Sequence, residues 1–114
     1  EEKQLAEKTA RQLIEEMPQT FRPERAGRAE AVIQFQISGD GGGNWVVTIK
    51  DKRCTVTEGA AQDANATVRM DATNYVALST GRLGSMKAFT SGKVKASGDI
   101  SLLQRMDRWF VRRS

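Results

Sequence analysis

The sequence predicts an α+β domain, and three observations carry that reading. Apolar and polar residues alternate in five short runs between Val32 and Ser97. Apolar residues recur at helical spacing at both ends of the chain and again between the fourth and fifth runs. Glycines and other turn formers separate the first runs closely enough to make hairpins of them.

The elements follow in order. From Glu2 to Met17, Leu5, Ala6, Ala10, Leu13, Ile14 and Met17 form the stripe of a surface helix that Pro18 ends. Gln19 to Glu30, with Pro23, Gly27 and mixed charge, reads as an irregular, mobile loop. Ile33, Phe35 and Ile37 alternate with Gln34 and Gln36, and Trp45, Val47 and Ile49 alternate with Val46, Thr48 and Lys50, as half-buried strands. The glycine run between them resembles a phosphate loop only superficially. A phosphate loop needs Lys and Ser or Thr at the start of a helix, whereas Asn44 and Trp45 lead into a strand. These glycines supply positive φ in a hairpin.

Asp51, Lys52 and Arg53 turn the chain into a third strand, Cys54 to Glu58. Ala66, Val68 and Met70 mark a fourth, after which Asp71 or Thr73 caps a helix running to Thr80, with Gly81 as its stop and Leu83 packing back on it. A short helix, Ser85 to Ser91, stops at Gly92, and a fifth strand runs from Lys93 to Ser97. Asp99 then caps a last helix whose apolar arc holds Leu102, Leu103, Met106, Trp109 and Phe110, opposite Arg105 and Arg108. The hairpins make part of the sheet antiparallel, and the helical crossing from strand four to strand five permits another pairing. Strand order does not follow from periodicity.

Composition sets further bounds. A chain of 114 residues, 39% apolar and 28% charged, is read as one domain, 1–114, with a single core. No apolar run reaches the roughly 18 residues of a membrane span, and a secretory signal is absent or already removed. Cys54 is alone and suits packing in a reducing cytoplasm. With no His, the usual general base and the commonest zinc ligand are missing, so neither an enzyme, a cofactor nor a metal site is expected. Residues 1–57 hold nine basic and nine acidic side chains, and residues 58–114 hold nine and five, so the +4 excess lies wholly in the second half. Lys87, Lys93, Lys95, Arg105 and Arg108 there are either a solvated face or a contact for anionic lipid head groups or for the phosphates of an acyl carrier such as coenzyme A. Nucleic acid is not expected, since no aromatic interleaving or binding motif accompanies the charge.

Gly81, Leu83, Met86 to Phe89, Ser91 to Lys93, Lys95, Gly98 and Asp99 together resemble the late signature of the sterol carrier protein 2 family. Val32 to Ser38, the glycine run and Trp45 resemble its first hairpin, so the likeness spans roughly Ala31 to Leu103. Lys52 departs from the family's Asp and Gly turn. The resemblance implies a five-stranded mixed, largely antiparallel sheet with helices packed on one face, enclosing an apolar cavity. It implies Trp45, Val47, Met70, Leu83, Met86, Phe89, Leu102, Leu103, Met106 and Phe110 as cavity walls. The residues themselves allow a hollow or a closed core; thirteen alanines fill little volume, while interiors ordinarily pack densely. The function expected is a non-enzymatic carrier of a long-chain fatty acid, fatty acyl-CoA, sterol or isoprenoid-like lipid. The alternative is an accessory domain that presents lipid to an enzyme of quinone synthesis or fatty-acid oxidation. The Arg112, Arg113, Ser114 ending lacks the peroxisomal address of some relatives, and the cytoplasm is the expected location.

Overall fold

The computed structural model describes residues 8–110. Three short helices lead in: α1 (Ala10–Glu15), α2 (Met17–Thr20) and α3 (Pro23–Ala26). Four strands follow, β1 (Ala31–Ser38), β2 (Gly43–Lys50), β3 (Arg53–Glu58) and β4 (Ala66–Asp71). Helices α4 (Ala72–Ser79) and α5 (Ser85–Thr90) precede β5 (Val94–Gly98), and α6 (Ile100–Met106) runs into a 3-10 turn, Asp107–Trp109. The strands lie in the order β3-β2-β1-β4-β5.

Every pairing is antiparallel except the central one, where β1 runs parallel to β4 with Ile33 beside Ala66 and Ile37 beside Met70. The exception therefore falls between β1 and β4 rather than between β4 and β5, where the sequence left room for it. A sheet register sorts side chains onto two faces. Ile33, Val47 and Val56 share one face with Phe35, Trp45, Val68, Met70 and Val94. All the buried strand residues but Gln34 lie on that face. The other face carries Lys50, Arg53, Arg69 and Lys95 among threonines and serines. The helices cover the apolar face, with α1 against α4 and β3, α4 against β1 and β4, and α6 over β4.

Local chemistry moves several boundaries. Thr9 caps α1 through a reciprocal bond with Gln12, so the helix opens at Ala10; the Leu5 and Ala6 portion of the expected stripe lies outside the described residues. Pro18 both limits α1 and occupies the first turn of α2, where its missing N–H is no loss. The expected mobile loop is tied down instead. Phe21 and Ala26 are buried, Arg22 N–H donates to Trp109 O at 2.7 Å, and Phe21 pairs with Phe110 across an isolated bridge. The final helix ends at Met106, four residues before the predicted Phe110, and the 3-10 turn swings Phe110 onto Phe21 with ring centroids 5.4 Å apart.

The crossing from β3 to β4 is held by two amides. Gln34 is buried on the polar face, where its Nε2 donates to Trp45 O and Gly59 O at 3.1 and 3.0 Å and its Oε1 accepts from Ala61 N–H at 2.7 Å. Asn65 exchanges bonds with Val32 and accepts Asp99 N–H at 3.0 Å, joining β1 to the cap of α6. Gly98 is required beside it, since a Cβ there would stand 2.5 Å from Asn65 O.

The β2–β3 turn places both Asp51 and Lys52 at positive φ, 53° and 62°, the requirement of a type I′ hairpin. Lys52 accepts a backbone that glycine adopts more cheaply. Lys52→Gly is expected to stabilise the domain by roughly 1 kcal/mol, read as a higher denaturant midpoint. Gln34→Leu, which strands Gly59 O and Ala61 N–H, is expected to cost about 2 kcal/mol in the same assay.

Candidate functional site

The layer between the apolar sheet face and the helices is the place where the chain brings its expected site residues together. Trp45, Val47 and Met70 rise from the sheet, and Leu102 and Met106 descend from α6; all five are buried in one cluster. Leu103 and Phe110 pack against that cluster half-buried. Asp99 fixes the helix that carries four of these seven neighbours or brings them near. Its carboxylate accepts Leu102 N–H at 3.0 Å and the Ser101 hydroxyl at 2.9 Å, which hold its pKa below the ordinary value.

Leu83, Met86 and Phe89 stand apart. Leu83 is half-buried outside the main cluster, while Met86 and Phe89 are 69% and 45% exposed on α5. Ala88 is the one buried side chain of α5, so the helix sits on its small face and turns the large residues outward. The enclosed cavity that the family likeness implied is not seen among the described residues. Ile14, Ile33, Trp45, Val47 and Ile49, each under 2% exposed, fill the layer instead. Two open grooves, of about 660 and 460 Å³, have mainly polar-face residues, with Arg69, Lys93 and Lys95 lining the larger and Lys50 and Arg53 the smaller.

Among the described residues, one polar side-chain atom inside the layer is unsatisfied. The Trp45 Nε1–H is buried with no acceptor, although the indole lies under the Arg11 guanidinium, 5.3 Å from the ring centroid. Arg11 is itself held by Glu58 and Glu15, each at 3.1 Å, and Glu58 raises its pKa further. The sequence shows the alternation that buries Trp45 but not that its donor is left over. Neither did it mark Arg11, Gln34 or Asn65, whose partners are far along the chain.

The basic residues do not form one patch. Lys87 is on α5, Lys93 and Lys95 line the groove by β5, and Arg105 and Arg108 are exposed on α6 and the 3-10 turn. Among the described residues, no three His, Cys, Asp or Glu side chains gather to hold a metal, and no helix is long and apolar enough to cross a membrane. Cys54 is buried, and desolvation pushes its thiol up to about 12. Burial does the same to Tyr75, which packs edge-on to Phe35 and is pushed up to about 12.

A one-sided sheet roofed by helices, with an apolar layer between them, defines an α+β domain organised around its buried interior. The chain matches the model of the SCP-2 sterol transfer family over residues 10–111, and it belongs to that family. It is 35% identical over 80 residues to hydroxysteroid dehydrogenase-like protein 2 of Mus musculus, covering 69% of this chain and 16% of that protein. It is 32% identical over 78 residues to sterol carrier protein 2 of Gallus gallus, covering 66% and 14%. The chain thus spans about a sixth of the length of these relatives. The solution structure of palmitated SCP2L2 from Aedes aegypti superposes with a TM-score of 0.69 at 22% identity, over 89% of this chain and 93% of that one.

Cys54 and Tyr75 keep their protons to higher pH in the folded chain than they would unfolded. Their contribution is therefore full below about pH 9, the ordinary thiol value being 9.0, and is lost as pH climbs toward about 12. The denaturation midpoint is expected to fall across that alkaline window, and to fall less in Cys54→Ala/Tyr75→Phe. Iodoacetamide at neutral pH is expected to label Cys54 only after denaturant is added.

Proposed function

We propose that this chain is a non-enzymatic lipid carrier domain which receives one long-chain apolar ligand between its sheet and its helices. Trp45, Val47, Met70, Leu102, Leu103, Met106 and Phe110 are the walls in this reading. The observation that carries it is the unpaired Trp45 N–H, a donor left over inside an otherwise apolar layer. An unmatched buried donor costs about 1–3 kcal/mol, and a ligand head with an acceptor oxygen removes that cost. Family membership supports the reading, as does the palmitated relative.

Magnitudes divide the work. Each buried methylene is worth about 0.8 kcal/mol, against about 1 kcal/mol for one hydrogen bond, so the tail sets affinity and Trp45 sets orientation. The closed layer must part to admit the chain. Met70 and Met106 suit that change, because an unbranched thioether repacks around different shapes. Fatty acids, acyl-CoA, sterols and isoprenoid lipids all meet these terms, and a carboxylate or hydroxyl head meets the Trp45 condition best.

A second reading has its own observation. The mouse relative is about six times longer than the matched stretch, so in this alternative the domain presents lipid to an enzyme of which it forms part. Ligand binding is common to both readings. They diverge in whether the domain delivers lipid on its own to an acceptor vesicle.

Delipidated protein is expected to bind a fluorescent fatty acid saturably at micromolar concentration. Met106→Trp, which fills the layer, is expected to weaken binding at least tenfold. Trp45→Phe removes the donor and is expected to weaken the free acid about tenfold, equivalent to about 1.4 kcal/mol, with little effect on an alkane of the same chain length, which has no acceptor. Absence of saturable binding by wild type overturns the proposal.

A further inference from the structure

Helix α5 buries a single side chain, Ala88. Among the described residues, Met86 and Phe89 are the exposed large hydrophobic side chains, and both are on this one helix. They are three residues apart, which sets them side by side on its outer face, opposite the buried Ala88. The helix makes its main packing contact with β5, and the Ala88 carbonyl accepts Lys93 N–H at 2.9 Å. The stretch of chain that carries it has charges of a single sign. From Ala72 to Gly98 the chain contains Arg82, Lys87, Lys93 and Lys95 and no Asp or Glu. The nearest acid before this stretch, Asp71, is occupied in capping α4, and the next, Asp99, in capping α6.

We infer that α5 is a docking element for an anionic bilayer, with Met86 and Phe89 entering the interface and Lys87 and Lys93 meeting the lipid head groups. Two large apolar side chains with Lys87 on the same short helix and Lys93 just beyond its end match the two components of such a surface, an acyl boundary beneath negative charge. A second copy of this chain is the wrong occupant. It would bring the same cations face to face, and two side chains fall far short of the roughly 800 Å² per partner that a stable interface buries. The surface is separate from the buried layer, so this inference stands or falls independently of whether a lipid is held inside.

The test is sedimentation of the chain with vesicles of phosphatidylcholine alone and of equimolar phosphatidylcholine and phosphatidylserine. Wild type is expected to bind the anionic vesicles, to ignore the neutral ones and to release with added salt. Met86→Asp/Phe89→Asp is expected to reduce binding at least tenfold, and Lys87→Glu several-fold. Because these side chains are exposed, both variants are expected to keep the wild-type unfolding midpoint and the wild-type affinity for soluble fatty acid. Three results overturn the inference: wild type that does not bind the anionic vesicles, α5 variants that bind as wild type does, or a loss caused instead by Arg105→Glu/Arg108→Glu with the α5 variants unaffected. A dimer of the wild type that the α5 variants abolish overturns it in favour of self-association.

Discussion

The segregation of the sheet into one apolar and one polar face is the constraint from which the rest of the domain follows. Ile33, Val47, Ile49 and Trp45 are essentially inaccessible, and they are so because helices contributed by both ends of the chain converge on their side. Burial of apolar area is the only term large enough to gather short helices that would not form alone, the longest among the described residues being eight residues. The polar face needs no such cover. Gln34 there satisfies the backbone of the β3–β4 connection, and that crossing lets β4 lie parallel to β1.

The same segregation locates function. A sheet with one wet face and one dry face offers two kinds of surface, and the dry one is already roofed. Whatever the domain does with an apolar ligand therefore involves displacing its own side chains, which is why the flexible methionines and the leftover Trp45 donor are informative. Close packing without a ligand is compatible with carriage, since a hollow left empty is destabilising in proportion to its volume. The exposed side chains of α5 belong to a different physical situation. They are held away from the interior by a backbone that turns Ala88 inward, and no rearrangement of the core is needed to present them.

Much of this was legible in the residues. Alternation placed all five strands within about two positions, and Asp99, Gly92 and Gly81 marked helix ends through side-chain and positive-φ chemistry that depends only on neighbours. The missed features depend on residues remote in sequence. Parallel β1–β4 pairing rests on Asn65 meeting Val32, and the ordered Phe21 to Ala26 segment rests on Trp109 and Phe110. The family likeness set Leu83, Met86 and Phe89 with the core residues, because a motif match carries residue types but not which side of a helix is buried. What decided the matter was the small size of Ala88, which seats α5 closely and leaves its larger neighbours outside.

The two margins of the sheet are guarded differently. Strand β3 has α2 lying along it, whereas β5 ends the sheet on the other side with Lys95 in the strand and Lys93 at its entrance. Cations on an unpaired margin repel the same margin of another molecule and so discourage strand-to-strand addition between copies. A domain that, in the function proposed above, loosens its interior to admit lipid thereby makes its exposed backbone a poor template for fibrils.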